Sequence, residues 1–204
     1  MAMNRKHVTL LVLLDSSAAF DTLDHVFLPS TLKSRFGIDG TALNWFCSYL
    51  AGRSQRVSIN GKLSHNYNLE WGIPQGSCLG PLLVILYTSQ LFDIVKVHHP
   101  QIHCYSDDTQ LYLSFSPDEA GSQVTALSAM EACIHDVRQW LLANGLYLND
   151  NETEFLIIGT RQQLSKVTLD GIQVGQSIVS PVSLARNLGA WFDANIHLLF
   201  FPSI

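Results

Sequence analysis

The sequence predicts an α+β domain in which helices pack on one face of a largely antiparallel sheet. Three observations carry that reading. The run "VTLLVLL" at residues 8–14 consists only of leucine and β-branched residues and stops at Asp15, as a central strand would. Turn pairs such as Asn60-Gly61 and Asp170-Gly171 separate short alternating segments, which is the signature of hairpins. The order strand, helices, hairpin, helix, hairpin, helix, strands lacks the regular alternation of a parallel α/β sheet.

Each element follows in turn. After Asp15 a helical region follows, interrupted or begun by Pro29, and then "DGTALNWFCSYLAGR" has Asp39 as N-cap and apolar residues from Ala42 to Leu50 at helical spacing. "QRVSINGKLSHNY" reads as a hairpin about Asn60-Gly61. "WGIPQGSCLGPLLVILY" reads as a glycine-punctuated loop entering a buried helix, with Ser77 as its N-cap. Residues 104–115, "CYSDDTQLYLSF", form a hairpin about the aspartate pair. Ser116 is expected to cap a helix with Pro117 at its first position, running to about Leu142 and stopping at Asn144-Gly145. "TEFLIIG", "KVTLDGIQVG" and "ARNLGAWFD" are further strands. The ending "HLLFFPSI" is apolar and uncapped, as expected of a chain that stops before its next element.

With 204 residues, 47% apolar and 14% charged, the chain suits one globular domain with a real core. A net charge of −5 argues against a free-standing nucleic-acid binder gripping phosphate with a basic face. The four cysteines have no C-x-x-C spacing and are expected as buried reduced thiols. The eight histidines show no zinc-binding pattern, so no zinc is expected. The basic start followed by an apolar run imitates a signal peptide, but Asp15 ends the run too early. No stretch approaches the roughly 20 residues of a membrane span, which points to an intracellular protein, cytoplasmic or nuclear, without membrane partners.

Asp107 and Asp108 raise the chemical question. Two ionised carboxylates about 4 Å apart repel by roughly 4 kcal/mol at an effective dielectric of about 20, so the pair needs solvent or a cation. A solvated hairpin turn satisfies this, and so does a magnesium site, because that ion takes oxygen ligands and leaves positions open for phosphate. A third carboxylate decides between them. Asp15 ends a central strand 92 residues earlier, and neighbouring strands would bring the three acids together.

Here the residues match a family. "LLVLLDSSAAFDTLDH", "GIPQGSCLGPLL" and "YSDDTQLY" resemble motifs A, B and C of the reverse transcriptases of non-LTR (LINE-type) retrotransposons, over about residues 8 to 196. The resemblance implies a polymerase palm-like sheet with incomplete fingers and no full thumb. It also implies an RNA-directed DNA polymerase that uses an RNA template, a DNA primer and deoxynucleoside triphosphates. Asp15, Asp107 and Asp108 would be catalytic and, with the Ser16 carbonyl, would bind two magnesium ions, manganese being a possible substitute. Phe20 would be the steric gate against a ribose 2′-hydroxyl. Pro74, Gln75 and Gly76 would meet the incoming nucleotide. Asp21, Asp24 and His25 are read as structural caps. Arg53, Arg56 and Lys62 are either nucleic-acid contacts or a solvated basic hairpin.

The resemblance continues into "LYLNDNETEFLIIGT", similar to motif D, where relatives read more like L-K-L-N-x-x-K-T-E. Tyr147 and Glu152 stand where both lysines are expected, and Glu152 would repel departing pyrophosphate. Residues 1–160 are expected to form the palm, and 161–204 a β-rich continuation toward a truncated thumb connection. The chain reads as a piece of a truncated element, beginning after the endonuclease and most of the fingers. Two alternatives remain: a catalytically inactive palm remnant acting as a folded or interaction domain, and a metal-dependent phosphohydrolase, supported by nothing beyond the acids.

Overall fold

The computed structural model describes residues 6–17, 19–74 and 76–194, so Gln75 and the "HLLFFPSI" ending lie outside the described residues. Strand β1 (Val8–Leu14) leads into the two-residue β2 (Ser16–Ser17) and the short helix α1 (Ala19–Thr22). Helix α2 (Phe27–Phe36) is held at its start by Asp24, whose Oδ1 accepts from the Val26 and Phe27 amides at 2.6 and 3.0 Å. It ends where Gly37 takes φ 66° and its amide returns to the Lys33 carbonyl, the left-handed cap that glycine allows. Helix α3 (Gly40–Leu50) starts at Asp39, whose side chain accepts from the Gly40 amide as expected.

A ribbon follows. In it β3 (Ser54–Gln55) and β4 (Ser58–Ile59) run out, while β5 (Lys62–Leu63) and β6 (Tyr67–Asn68) return, pairing β4 with β5 and β3 with β6. Asn60 and Gly61 turn it, both at positive φ, as the two-residue hairpin loop requires. Helix α4 (Gly80–Tyr87), a 3₁₀ turn (Thr88–Gln90) and α5 (Leu91–Val97) come next. Together Gly80–Val97 form one helical run long and apolar enough to cross a membrane, contrary to the expectation that no stretch reaches that length. Its apolarity has a local cause: Leu83, Val84, Tyr87, Leu91 and Val95 are buried in the core.

The remaining elements are the hairpin β7 (Gln101–Tyr105) and β8 (Asp108–Phe115), the long helix α6 (Ser122–Ala143), β9 (Tyr147–Leu148), β10 (Glu154–Ile158) and α7 (Arg161–Leu164). Two hairpins close the described chain, β11 (Ile172–Val174) with β12 (Ser177–Val179), and β13 (Leu184–Asn187) with β14 (Ala190–Asp193). Helix α6 stops at Asn144-Gly145 as expected but begins six residues after Ser116. Residues 116–122 instead form successive turns, in which the Glu119 amide donates to Ser116 and the Ser122 amide to Glu119, with Gly121 at φ 80° just before the helix. The Ser-Pro pair therefore opens a turn, and Asp118 within it pairs with Lys166. The β11–β12 turn lies at Gly175-Gln176, since Val174 faces Ser177, and Asp170-Gly171 precedes the hairpin rather than turning it. Of the cysteines, only Cys133 is buried. Cys47 and Cys78 are exposed, so the expected burial fails for them, although all four thiols are free.

The main sheet has the order β10-β1-β8-β7 and is antiparallel throughout. Period-two alternation sends Val8, Leu10, Val12 and Leu14 toward the helical layer, where they join Leu111, Phe115, Phe155 and the buried face of α6. Leu11 and Leu13 face the other way and pack with Leu156, Ile158 and Ala185 of the β13–β14 hairpin. Burial on both faces is why "VTLLVLL" lacks polar alternation. Each such leucine contributes about 1.5–3 kcal/mol.

Candidate active site

Strand register positions the acids. Leu14 pairs with Thr109 on β8, and Leu13 pairs with Glu154 on β10. Continuing the first register by one residue sets Asp15 abreast of Asp108. Glu152 lies in the turn just before β10 and lines the same cleft as Asp15 and Asp108. Asp107 occupies the two-residue turn between Tyr105 and Asp108. Ser106, the first turn residue, is held at φ 58°, a conformation that costs a non-glycine residue about 1 kcal/mol. The sequence-predicted acids Asp15, Asp107 and Asp108 thus lie at one edge of one sheet.

Glu152 sits there because the chain before β10 folds back on motif A. Ser16 faces Leu148 across the β2–β9 pair, the Asn149 amide donates to the Asp15 carbonyl at 2.9 Å, and the Glu152 amide donates to Asn149 at 3.1 Å. The Glu152 carboxyl stands close enough to Asp15 to act on it by hydrogen bonding and by charge. A cleft of about 410 Å³ opens beside this pair, lined by Asp15, Asp108, Glu152, Glu154, Arg186 and Asn187. Gln110 donates to Asn187 at 2.6 Å and ties β8 to the hairpin above the cleft. Sequence reading did not single out Glu154, Arg186 or Asn187. Only the tertiary return of β13 over the sheet brings the last two here, although two-residue spacing from Glu152 would have pointed to Glu154.

Burial leads the electrostatics, and repulsion adds to it. Burial, then the Glu152 hydrogen bond, then the negative charges of Glu152, Asp107 and Asp108 raise the Asp15 carboxyl to about 6. Burial and the neighbouring Asp107 raise Asp108. Glu154 is also raised by burial, against a hydrogen bond from the Arg186 backbone. Since Asp15 holds its proton more tightly when folded, its stabilising contribution is complete below its unfolded value of 3.8 and is lost as pH rises through about 6. The full shift would be worth roughly 3 kcal/mol, and solvent screening at this partly exposed group reduces it to about 1 kcal/mol. The melting temperature of wild type, measured against that of Asp15→Asn, should therefore fall between about pH 4 and pH 7. Parallel curves would show that the cluster is not strained.

The glycine loop packs against motif A. The Gly72 amide donates to the Leu23 carbonyl at 2.7 Å, the Ile73 amide to Phe20 at 2.6 Å, and His25 Nε2 reaches the Gly72 carbonyl at 2.6 Å. Gly72 has φ 79°, and a Cβ there would lie 2.8 Å from the Asp21 carbonyl oxygen. Gly72→Ala is expected to cost about 1–3 kcal/mol, read as a lower urea midpoint with unchanged slope. Phe20, in α1, lays its ring against Gly80, where an added Cβ would meet Cε1 at 3.0 Å. Pro74 lines a second cleft of about 720 Å³ with Asp21, Arg53 and Trp71, and Gly76 is exposed at φ 79°. Ser77 does not cap α4, which begins at Gly80; its hydroxyl accepts from the Leu79 amide and pairs with the Tyr49 hydroxyl at 2.6 Å.

Among the described residues, no group of three or more His, Cys, Asp or Glu side chains converges tightly enough to hold a metal ion. The donor chemistry nevertheless suits magnesium: hard carboxylate oxygens with excess negative charge, which a cation would relieve.

A sequence model of the family described as reverse transcriptase (RNA-dependent DNA polymerase) matches residues 1–182. A probable RNA-directed DNA polymerase from transposon X-element of Drosophila melanogaster is 37% identical over 78 residues, 38% of this chain and 8% of that protein. Among solved structures, apo telomerase from Candida tropicalis truncated from its C-terminal domain superposes with a TM-score of 0.60 at 14% identity, covering 92% of this chain and 34% of that one. Telomerase from Candida albicans in complex with a TWJ fragment of telomeric RNA gives 0.61 at 12% identity, covering 93% and 30%. At these identities the telomerases speak for the fold, and the α+β class with an antiparallel sheet agrees with the sequence expectation. The chain spans about a third of their length and under a tenth of the transposon protein.

Proposed function

We propose, since the chain belongs to the reverse transcriptase (RNA-dependent DNA polymerase) family, that residues up to about 160 form the palm of an RNA-directed DNA polymerase of the non-LTR kind, and that the rest leads toward a thumb. The observation that carries this reading is the register that sets Asp15 beside Asp108 with Asp107 at the adjoining turn. Asp15, Asp107, Asp108 and the Ser16 carbonyl would hold magnesium or manganese. Bound there, the ions would supply the charge that activates a primer 3′-hydroxyl and neutralises leaving pyrophosphate. Phe20, set against Gly80, would present its ring to the sugar of the incoming deoxynucleoside triphosphate. Pro74, Gln75 and Gly76 would border the nucleotide and the RNA template.

A second reading, a palm that folds but no longer turns over, is favoured by one observation: Glu152 engages Asp15 where relatives carry a cation. Cation binding tests the site itself. Magnesium or manganese at ten times its dissociation constant should add about 1.4 kcal/mol of stability, and Asp107→Asn should remove the effect. Equal melting shifts in both proteins would place the cation elsewhere.

A further inference from the structure

We propose that Arg138 is a positioning residue of the carboxylate cleft: from α6 it clamps the turn at residues 149–152 and so holds Glu152 beside Asp15. Arg138 stands near the end of α6, and its Nη1 donates to Asp150 Oδ1. The two side chains are 24% and 28% exposed, and among the described residues this is the one ion pair whose partners are both less than a third exposed. Water therefore screens it less than it screens a pair on the open surface. Asp150 follows Asn149, the hub of the turn. The Asn149 amide donates to the Asp15 carbonyl at 2.9 Å, while the Asn149 carbonyl accepts from the Glu152 amide and from the Thr153 hydroxyl, each at 3.1 Å. A tether at Asp150 thus acts on the segment that carries Glu152 into the cleft.

The guanidinium has a second seat. Gly175, in the turn between β11 and β12, has φ 60°, and a Cβ there would lie 2.8 Å from Arg138 Cζ and 3.0 Å from its Nη1. The planar head rests on bare backbone that any side chain would cover. That hairpin is itself fixed on α6, because the Gln173 amide donates to Glu131 Oε1 at 3.0 Å and Ile172 and Val174 are buried in the core. Arg138 is therefore set between a docked hairpin and the turn at residues 149–152. The clamp has work to do, since Glu152 and the carboxylates of Asp15 and Asp108 share one cleft and like charges push the turn outward. Arg138 opposes that repulsion without lining the cleft. Its kinetic consequence rests on the polymerase reading above: the clamp keeps whatever residue 152 is, acid or cation, next to the departing pyrophosphate.

Amide hydrogen exchange of the whole chain tests the clamp without metal or turnover. Arg138→Gln should speed exchange at Asn149 and Glu152 roughly ten-fold, while Leu11 in β1 and Ile134 in α6 exchange as in wild type. Arg138→Lys, which keeps the charge but not the planar fork, should exchange more slowly at both amides than Arg138→Gln. Asp150→Asn should speed the same two amides, and the double variant should be no faster than either single one, as the loss of one shared pair requires. The proposal is overturned if Arg138→Gln leaves both amides at wild-type rates, if Ile134 speeds by the same factor, or if the effects of Arg138→Gln and Asp150→Asn add. Kinetics supply a sign that a merely structural role would not. With this chain set in place of the corresponding segment of an active family member, Arg138→Gln should raise single-turnover incorporation where residue 152 is glutamate and lower it in the Glu152→Lys background. A fall in both backgrounds would overturn the positioning role. Inactivity in every background, with the exchange pattern intact, would sink the polymerase reading and leave the clamp standing.

Discussion

Glu152→Lys accelerates nucleotide incorporation by about 10²- to 10⁴-fold in single-turnover kinetics, when this chain replaces the corresponding segment of an active family member. The cause is charge at one point. Glu152 lines the cleft with Asp15 and Asp108, and adds a carboxylate where, under the proposed function, negatively charged pyrophosphate would leave. A lysine can donate a proton or a countercharge there. It also replaces a carboxylate that helps burial raise Asp15 with a cation that favours the ionised form, so Asp15 stays an anionic oxygen donor to lower pH. An unchanged chemical step would mean that the Glu152 contact does not limit this palm.

Asp15→Ala is expected to reduce incorporation by roughly 10³-fold or more in the same graft, with or without Glu152→Lys, because charge stabilisation at the reacting phosphate is worth several kcal/mol. Misfolding does not explain such a loss. Asp15 is partly exposed and repelled by its neighbours, so removing it relieves strain, and the melting temperature should hold or rise at neutral pH. Substantial activity in Asp15→Ala would remove motif A from the chemistry.

Much of this was legible in sequence where one local rule decides the outcome. Asn60-Gly61 turns the ribbon because both positions need positive φ. Asp39 caps α3 because its carboxylate reaches the next amide. β1 reads as unbroken apolar because the helical layer and the β13–β14 hairpin cover both its faces. Where two local solutions compete, the reading failed. Ser116-Pro117 satisfies a helix start and a turn equally well, and the turn at 116–122 wins, with Asp118 tied to Lys166. Glu152 was flagged by its place in the motif D resemblance, where a lysine is expected. Its contact with Asp15 depends on register across β1 and β10, which no local pattern encodes, and Arg186 reaches the cleft only through a hairpin 30 residues further on.

The most direct test is manganese titration followed by paramagnetic broadening of backbone amide resonances, which reads cation position without requiring turnover. The amides of Asp15, Ser16, Asp107 and Asp108 should broaden first and together, since shared ions sit only about 4 Å apart, and Asp107→Asn should abolish the effect. Broadening centred on other acids such as Asp118, or reaching the β7–β8 turn without Asp15, would contradict a shared cation site built from strand ends β1 and β8.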